Sequence, residues 1–171
     1  YYEISFDGFS IAILHPVTTE LDRLEEDVQA FVEALTSSER NYVVIYPNND
    51  PGFALILDAY RTLIDNPRFR LLPSVRFEYF LTLLKNAAFI IGNSSSGIRE
   101  APVFSTPTIN LGSRQNARSN FSEIIHCDFT LDNVKQAIAE AERLKPTPFS
   151  EFGRQDTSKL VLAALSDNSI W

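Results

Sequence analysis

Short apolar runs alternate along this chain with stretches of helical period. Residues 9–14 (FSIAIL), 42–46 (YVVIY), 69–72 (FRLL), 88–91 (AFII), 107–111 (PTINL) and 123–127 (EIIHC) are brief and rich in β-branched or aromatic side chains, as central strands of a parallel sheet should be. Leu21, Leu24, Val28, Phe31, Val32 and Leu35 recur at spacings of three, four and seven, which is one apolar stripe of a helix. Phe77, Phe80, Leu81 and Leu84 repeat the stripe, as do Leu131, Val134, Ile138 and Ala141, and a last helix is predicted over roughly 156–166. Thr19 ahead of Glu20 and Asp22, and Thr130 ahead of Asp132, are expected to cap their helices, with first-turn carboxylates offsetting the exposed amides. Parallel strands need helical crossovers, so this alternation predicts an α/β fold with a doubly wound, Rossmann-like parallel sheet. Ligands in such sheets sit outside the carboxyl ends of the strands, near the switch in strand order. The strand-to-helix loops are therefore the positions to read for function. The chain 1–171 reads as a single domain with its core in 8–145, a linker at 146–155 marked by Pro146 and Pro148, and a terminal helical segment at 156–171.

Composition narrows the function classes. The 171 residues, 44% of them hydrophobic, suit one globular unit with a sizeable core. A net charge of −7 and a pI near 4.8 argue against nucleic acid, which wants a basic face. No apolar run nears the roughly 18 to 20 residues that cross a bilayer, and no signal-peptide pattern is present, so the expectation is a cytoplasmic protein with no membrane partner. Cys127 is the one cysteine; it cannot form an internal disulfide and is read as a small buried apolar residue. Without a Cys/His cluster no metal site is expected, and no cofactor either. The sequence has no methionine, even at position 1, from which an excised domain is expected.

The loop at 92–100 carries the most chemistry. An apolar run breaks there into Asn93-Ser94-Ser95-Ser96-Gly97 and restarts as a helix carrying Glu100. Serine hydroxyls and amides at a helix start can hold an anion, and Gly97 would let the backbone approach a ligand closely. Glu100 beside a phosphate would be repelled, unless it accepts hydrogen bonds from hydroxyls farther out, as a ribose would supply. The same residues also fit a plain helix start, with Ser95 or Ser96 as cap and Glu100 a solvated carboxylate. Neither a P-loop nor the glycine-rich dinucleotide fingerprint is present.

The stretch IIGNSSSGIREAPVFSTPTINLGSRQNAR, with HPVTTE at 15–20 and YPNNDPG at 46–52, closely resembles the UDP-N-acetylglucosamine 2-epimerase family, in particular its hydrolysing members that open sialic-acid and related pathways. The resemblance covers roughly residues 11–120. It implies one half, the C-terminal one, of a GT-B-type enzyme with two Rossmann-like halves and the substrate in the cleft between them. It further implies that Ser94, Ser95 and Gly97 hold the diphosphate and Glu100 the ribose, with His15 reaching the diphosphate or sugar. Arg114 and Arg118 are implied as a basic pair near the diphosphate or sugar, with His15 and Arg118 the catalytic candidates. Asn48 would line the cleft or, with Asn49 and Asp50, cap the next helix instead, and Arg76 would face the uracil. His126 is read as core or surface.

Members of this family eliminate UDP across C1 and C2 and then add water, or UDP again, with inversion at C2. By the resemblance, the catalytic carboxylates lie in an N-terminal half that this chain lacks. The expected partners are UDP-N-acetylglucosamine and UDP, that preceding half, and further copies of the full-length protein; the isolated half is expected to be inactive. The donor-binding half of a GT-B glycosyltransferase and a non-catalytic nucleotide-sugar-binding domain remain alternatives.

Overall fold

The computed structural model describes residues 2–119, 121–149 and 156–167; residues 150–155 of the expected linker and 168–171 of the terminal segment lie outside them. Strands β1 (Ser10–Ile13), β2 (Tyr42–Ile45), β3 (Phe69–Leu72), β4 (Ile90–Gly92), β5 (Thr108–Leu111) and β6 (Ile124–Cys127) alternate with helices α1 (Leu24–Ser37), α2 (Phe53–Tyr60), α3 (Phe77–Asn86), α4 (Ser95–Arg99), α5 (Leu131–Ala141) and α6 (Thr157–Leu165). Every strand pairing is parallel, and the order across the sheet is β3-β2-β1-β4-β5-β6. That is the doubly wound order, with its switch between β1 and β4.

Alternation along each strand divides the core between two faces. Ala12, Tyr42, Val44, Ile91, Ile109 and Leu111 pack with Val28, Phe31 and Leu35 of α1, Ile56 and Tyr60 of α2, and Val134 and Ile138 of α5. On the other face Ile11, Ile13 and Ile90 meet Phe80 and Leu84 of α3 and Ala101. This second cluster is the smaller one, so the sheet face near α3 and α4 leaves room for a cleft.

Several helix ends depart from the sequence expectation. α1 begins at Leu24 with Arg23 at its cap and no side-chain cap bond. Thr19 is therefore not a cap: residues 18–19 and 21–23 form turns, and Leu21 lies outside the helix. Asn48, Asn49 and Asp50 do not cap α2 through their side chains either. Gly52 holds that position at φ +97°, and a Cβ there would meet Leu24 Cδ2 at 2.6 Å, so only glycine fits both the left-handed turn and the contact. Thr130 does cap α5, accepting from the Asn133 N–H at 3.4 Å. α6 buries none of its residues, and Leu160, Val161, Leu162 and Leu165 are exposed. Among the described residues no helix is long and apolar enough to cross a membrane.

Candidate functional site

Three loops converge at the switch point, and Asn93 joins them. Gly92, the last residue of β4, takes φ +136°, which turns the chain so that the Asn93 side chain, 1% exposed, reaches the end of β1. Its Oδ1 accepts the His15 N–H at 2.7 Å and its Nδ2 donates to the His15 carbonyl at 2.8 Å. The Asn93 carbonyl in turn accepts from Arg114 Nη1 at 3.1 Å and from Gln115 Nε2 at 2.8 Å, two residues on the loop after β5. Arg118 Nη1 then donates to Gln115 Oε1 at 3.4 Å. A second tie binds the same loops: Ser113 Oγ donates to the Glu20 carboxylate. Both polar atoms of the Asn93 side chain are hydrogen-bonded across this junction, as buried polar atoms must be.

The His15 ring is set from the β2 end. Its Nδ1 accepts the Asn48 backbone N–H at 3.1 Å, so the neutral ring carries its proton on Nε2. Burial, then the neighbouring Arg114, holds His15 below the ordinary imidazole value, against the opposing pull of the Asp50 carboxylate. A neutral Nε2–H beside a guanidinium is a donor pair suited to an anion. Because the folded-state value is depressed, the unfolded chain takes up this proton first as pH falls. The stability this residue contributes is full above the ordinary value of 6.5 and is lost as pH falls through the folded value. Urea midpoints measured at about pH 7.5 and pH 5.5 should therefore fall less in His15→Gln than in the wild type; an equal fall would place that titration elsewhere.

Beside His15 lies a cavity of about 260 Å³ lined by Ile13, Ile45, Tyr46, Val75, Phe77, Phe80, Ser94, Ser95, Ser96 and Glu100. One wall is aromatic and aliphatic, and the other is hydroxyl and carboxylate. Burial raises the Glu100 carboxyl above its ordinary value, partly offset by its own backbone N–H and by Arg99. Such a carboxylate is short of hydration and gains from any hydroxyl donor that comes within hydrogen-bonding reach. Burial likewise lowers Arg114, opposed by Asp50, and its guanidinium stays charged.

The structure thus brings His15, Ser94, Ser95 and Glu100 around one cavity, with Asn48 bonded to His15, Arg114 and Gln115 on the Asn93 carbonyl and Arg118 one link behind through Gln115. Arg76 stands apart. It is exposed, caps α3 and gives its backbone N–H to Tyr2 Oη at 3.0 Å, whereas the cavity wall there is Val75 and Phe77. Gly97 makes its close approach to Thr108, whose Cγ2 lies 2.9 Å from where a Cβ would stand. Helix-to-sheet packing therefore limits the side chain at this position.

α4 spans five residues, too few for an aligned dipole of any strength. Attraction for an anion must come from Arg114, Arg118 and the His15 N–H instead. Ser94, not Ser95 or Ser96, caps α4, accepting from the Ser96 N–H at 3.4 Å. Sequence reasoning also missed Asn93, Gln115 and Tyr46 and took Phe77 for core. Phe77 is in fact 59% exposed at the cavity rim; a polar residue directly after an apolar strand was the one available signal for Asn93. His126 is exposed and touches Asn110, away from this cavity. Cys127 is partly buried, and burial pushes its thiol up to about 11. Among the described residues no cluster could hold a metal ion.

Comparison with known proteins places this fold in a family. The family model for UDP-N-acetylglucosamine 2-epimerase matches residues 2–166. A UDP-N-acetylglucosamine 2-epimerase of Neisseria meningitidis is 43% identical over 141 residues, 82% of this chain and 37% of that protein. A UDP-N,N'-diacetylbacillosamine 2-epimerase (hydrolyzing) of Legionella pneumophila is 34% identical over 131 residues, 77% of this chain and 35% of that protein. The chain thus spans little more than a third of these relatives. The structure of the Methanocaldococcus jannaschii UDP-GlcNAc 2-epimerase in complex with UDP-GlcNAc and UDP superposes with a TM-score of 0.75 at 18% identity, covering 95% of this chain and 46% of that one. The shared fold is one Rossmann-like half of a GT-B-type enzyme. The chain belongs to the UDP-N-acetylglucosamine 2-epimerase family.

Proposed function

We propose that this chain is the UDP-binding half of a hydrolysing UDP-N-acetylglucosamine 2-epimerase that releases N-acetylmannosamine and UDP. The observation that carries the reading is the two-walled cavity beside His15. Phe77, Tyr46 and Val75 offer an apolar seat for a base, Glu100 two lone-pair positions for a ribose diol, and His15 lines the cavity with Arg114 held nearby on the Asn93 carbonyl. A uridine diphosphate laid along that line meets a partner at each group it carries. The hydrolysing outcome is favoured by the name of the L. pneumophila relative.

In the reaction the C1–O bond breaks with its electron pair passing to the diphosphate, while the C2 proton goes to a base on the preceding half. Water then adds across the double bond, hydroxyl to C1 and proton to C2. This half stabilises the growing charge on the leaving group through Arg114, Arg118, the Ser94 and Ser95 hydroxyls and the His15 Nε2–H. The base lies elsewhere, so the chain alone should turn over no substrate, and the full-length protein would work as an oligomer.

Charge-assisted hydrogen bonds contribute about 1.5 to 3 kcal/mol each, and association costs about 4 to 15 kcal/mol. The isolated chain should accordingly bind UDP in the high micromolar to millimolar range. Titration with UDP followed by NMR tests the reading: saturable binding is expected in the wild type and about a tenfold or greater loss in both Glu100→Ala and Arg118→Ala. Binding that both variants retain would sink the assignment of the cavity.

A further inference from the structure

We propose that Asp50 discriminates against free UDP: its carboxylate stands beside the diphosphate position and repels the released product more than the bound nucleotide-sugar. The inference rests on the uridine diphosphate reading of the cavity. Asp50 occupies the turn between β2 and α2, where its carbonyl accepts the Phe53 N–H at 3.0 Å. Its side chain is held by Asn48 Nδ2, 2.5 Å from Oδ2, and the Asn48 backbone N–H is the group that sits on His15 Nδ1 at 3.1 Å. The carboxylate is therefore tied to the residue that orients the imidazole, and Arg114 is anchored nearby on the carbonyl of Asn93, whose side chain holds the His15 backbone. Both His15 and Arg114 feel its charge. Yet among the described residues Asp50 forms no ion pair.

An anion site does not gain affinity from a fixed carboxylate at its edge, so the placement calls for a different use. Charge supplies one. The diphosphate of a nucleotide-sugar is esterified at both ends and carries one negative charge per phosphoryl group. Cleavage of the C1–O bond frees the terminal phosphate, which at neutral pH approaches a second charge of its own. One further unit of repulsion across a partly solvated gap of several ångströms lowers affinity by about three- to tenfold. The site then holds substrate better than product. UDP departs before it can re-add to the unsaturated sugar, which leaves water as the partner for addition. A carboxylate at this turn would bias the outcome towards hydrolysis without touching the sugar.

The chain, Asp50→Asn and a control, Asp58→Asn, which removes the same charge from the exposed Asp58–Arg61 pair at the end of α2, would each be titrated with UDP and with UDP-N-acetylglucosamine by NMR. Asn at position 50 can still hydrogen-bond Asn48, so the turn is kept. Asp50→Asn is expected to tighten UDP about three- to tenfold more than it tightens the nucleotide-sugar, with Asp58→Asn moving neither. The His15 imidazole should titrate lower in Asp50→Asn, because a charge that raises it is gone. Equal tightening of the two ligands, weaker UDP binding, or an unmoved His15 would overturn the inference while leaving the uridine site intact. Failure of the wild type to bind either ligand would overturn the uridine reading, and this inference with it.

Discussion

Gly92→Ala is expected to leave no cooperatively folded protein. Gly92 closes β4, the strand between β1 and β5, in register with Ile13 on one side and Asn110 on the other. Its φ of +136° is one that L side chains rarely adopt, and an added Cβ would stand 1.8 Å from the Ile13 carbonyl oxygen. That oxygen belongs to the backbone of the central strand and accepts the Asn93 N–H at 3.2 Å, so it cannot swing aside. Relief requires shifting β1 against β4, which dismantles the junction that carries the site. A cost above about 4 to 5 kcal/mol is expected, set against a total stability of about 5 to 15 kcal/mol. Far-UV circular dichroism in a urea series reads the result directly, and a midpoint within the error of wild type would show that the strand end is not built this way. Gly97→Ala provides the scale. Its Cβ would press a side-chain methyl of Thr108 at 2.9 Å, which can give, so a loss of about 1 to 3 kcal/mol is expected.

The contrast between those two glycines also marks how far the sequence could be read. Six strands and their order of succession were legible because central parallel strands are apolar on both faces and short, a signal that local context rarely erases. The position of the cleft was legible as well, since a doubly wound sheet forces its ligand loops to the carboxyl ends of the strands. The illegible parts depend on tertiary geometry. Thr19 has the chemistry of a cap, but the chain runs through turns to Arg23 before α1 starts. Phe77 completes an apolar stripe and still faces outward, because it stands at the rim of a cavity with Ile13, Ile45 and Val75 where a core would be. Arg76 is offered as a base reader by the family resemblance, yet its backbone N–H is taken up by Tyr2, a contact across 74 residues that no local pattern announces. Gly97 and Gly92 look alike in sequence as glycines flanking a serine run. Only the register with Thr108 and Ile13 reveals that both answer to the sheet.

Asn93→Ala should separate the architecture of the site from its chemistry. The substitution removes an acceptor and a donor that satisfy the His15 N–H and carbonyl at 2.7 and 2.8 Å, at a position 1% exposed. Each group left buried without a partner costs about 1 to 3 kcal/mol, so a loss of about 2 to 6 kcal/mol is expected from the urea midpoint. The Asn93 carbonyl survives the change, and Arg114 and Gln115 keep their anchor. What is lost is the pin that fixes the end of β1 relative to that anchor. His15 would then stand free of the register with Arg114, and UDP binding should weaken about tenfold or more even where the variant is fully folded, as in low urea and at reduced temperature. Asn93→Asp sharpens the test. The carboxylate can still accept from the His15 N–H but meets the His15 carbonyl oxygen to oxygen, and burial favours its protonated form. Protonation restores a donor, so the stability deficit of Asn93→Asp should shrink as pH falls from about 7 towards 5, while that of Asn93→Ala should not. Equal deficits across that range would mean that the second hydrogen bond to His15 contributes nothing, and that the strand end is held by the sheet alone.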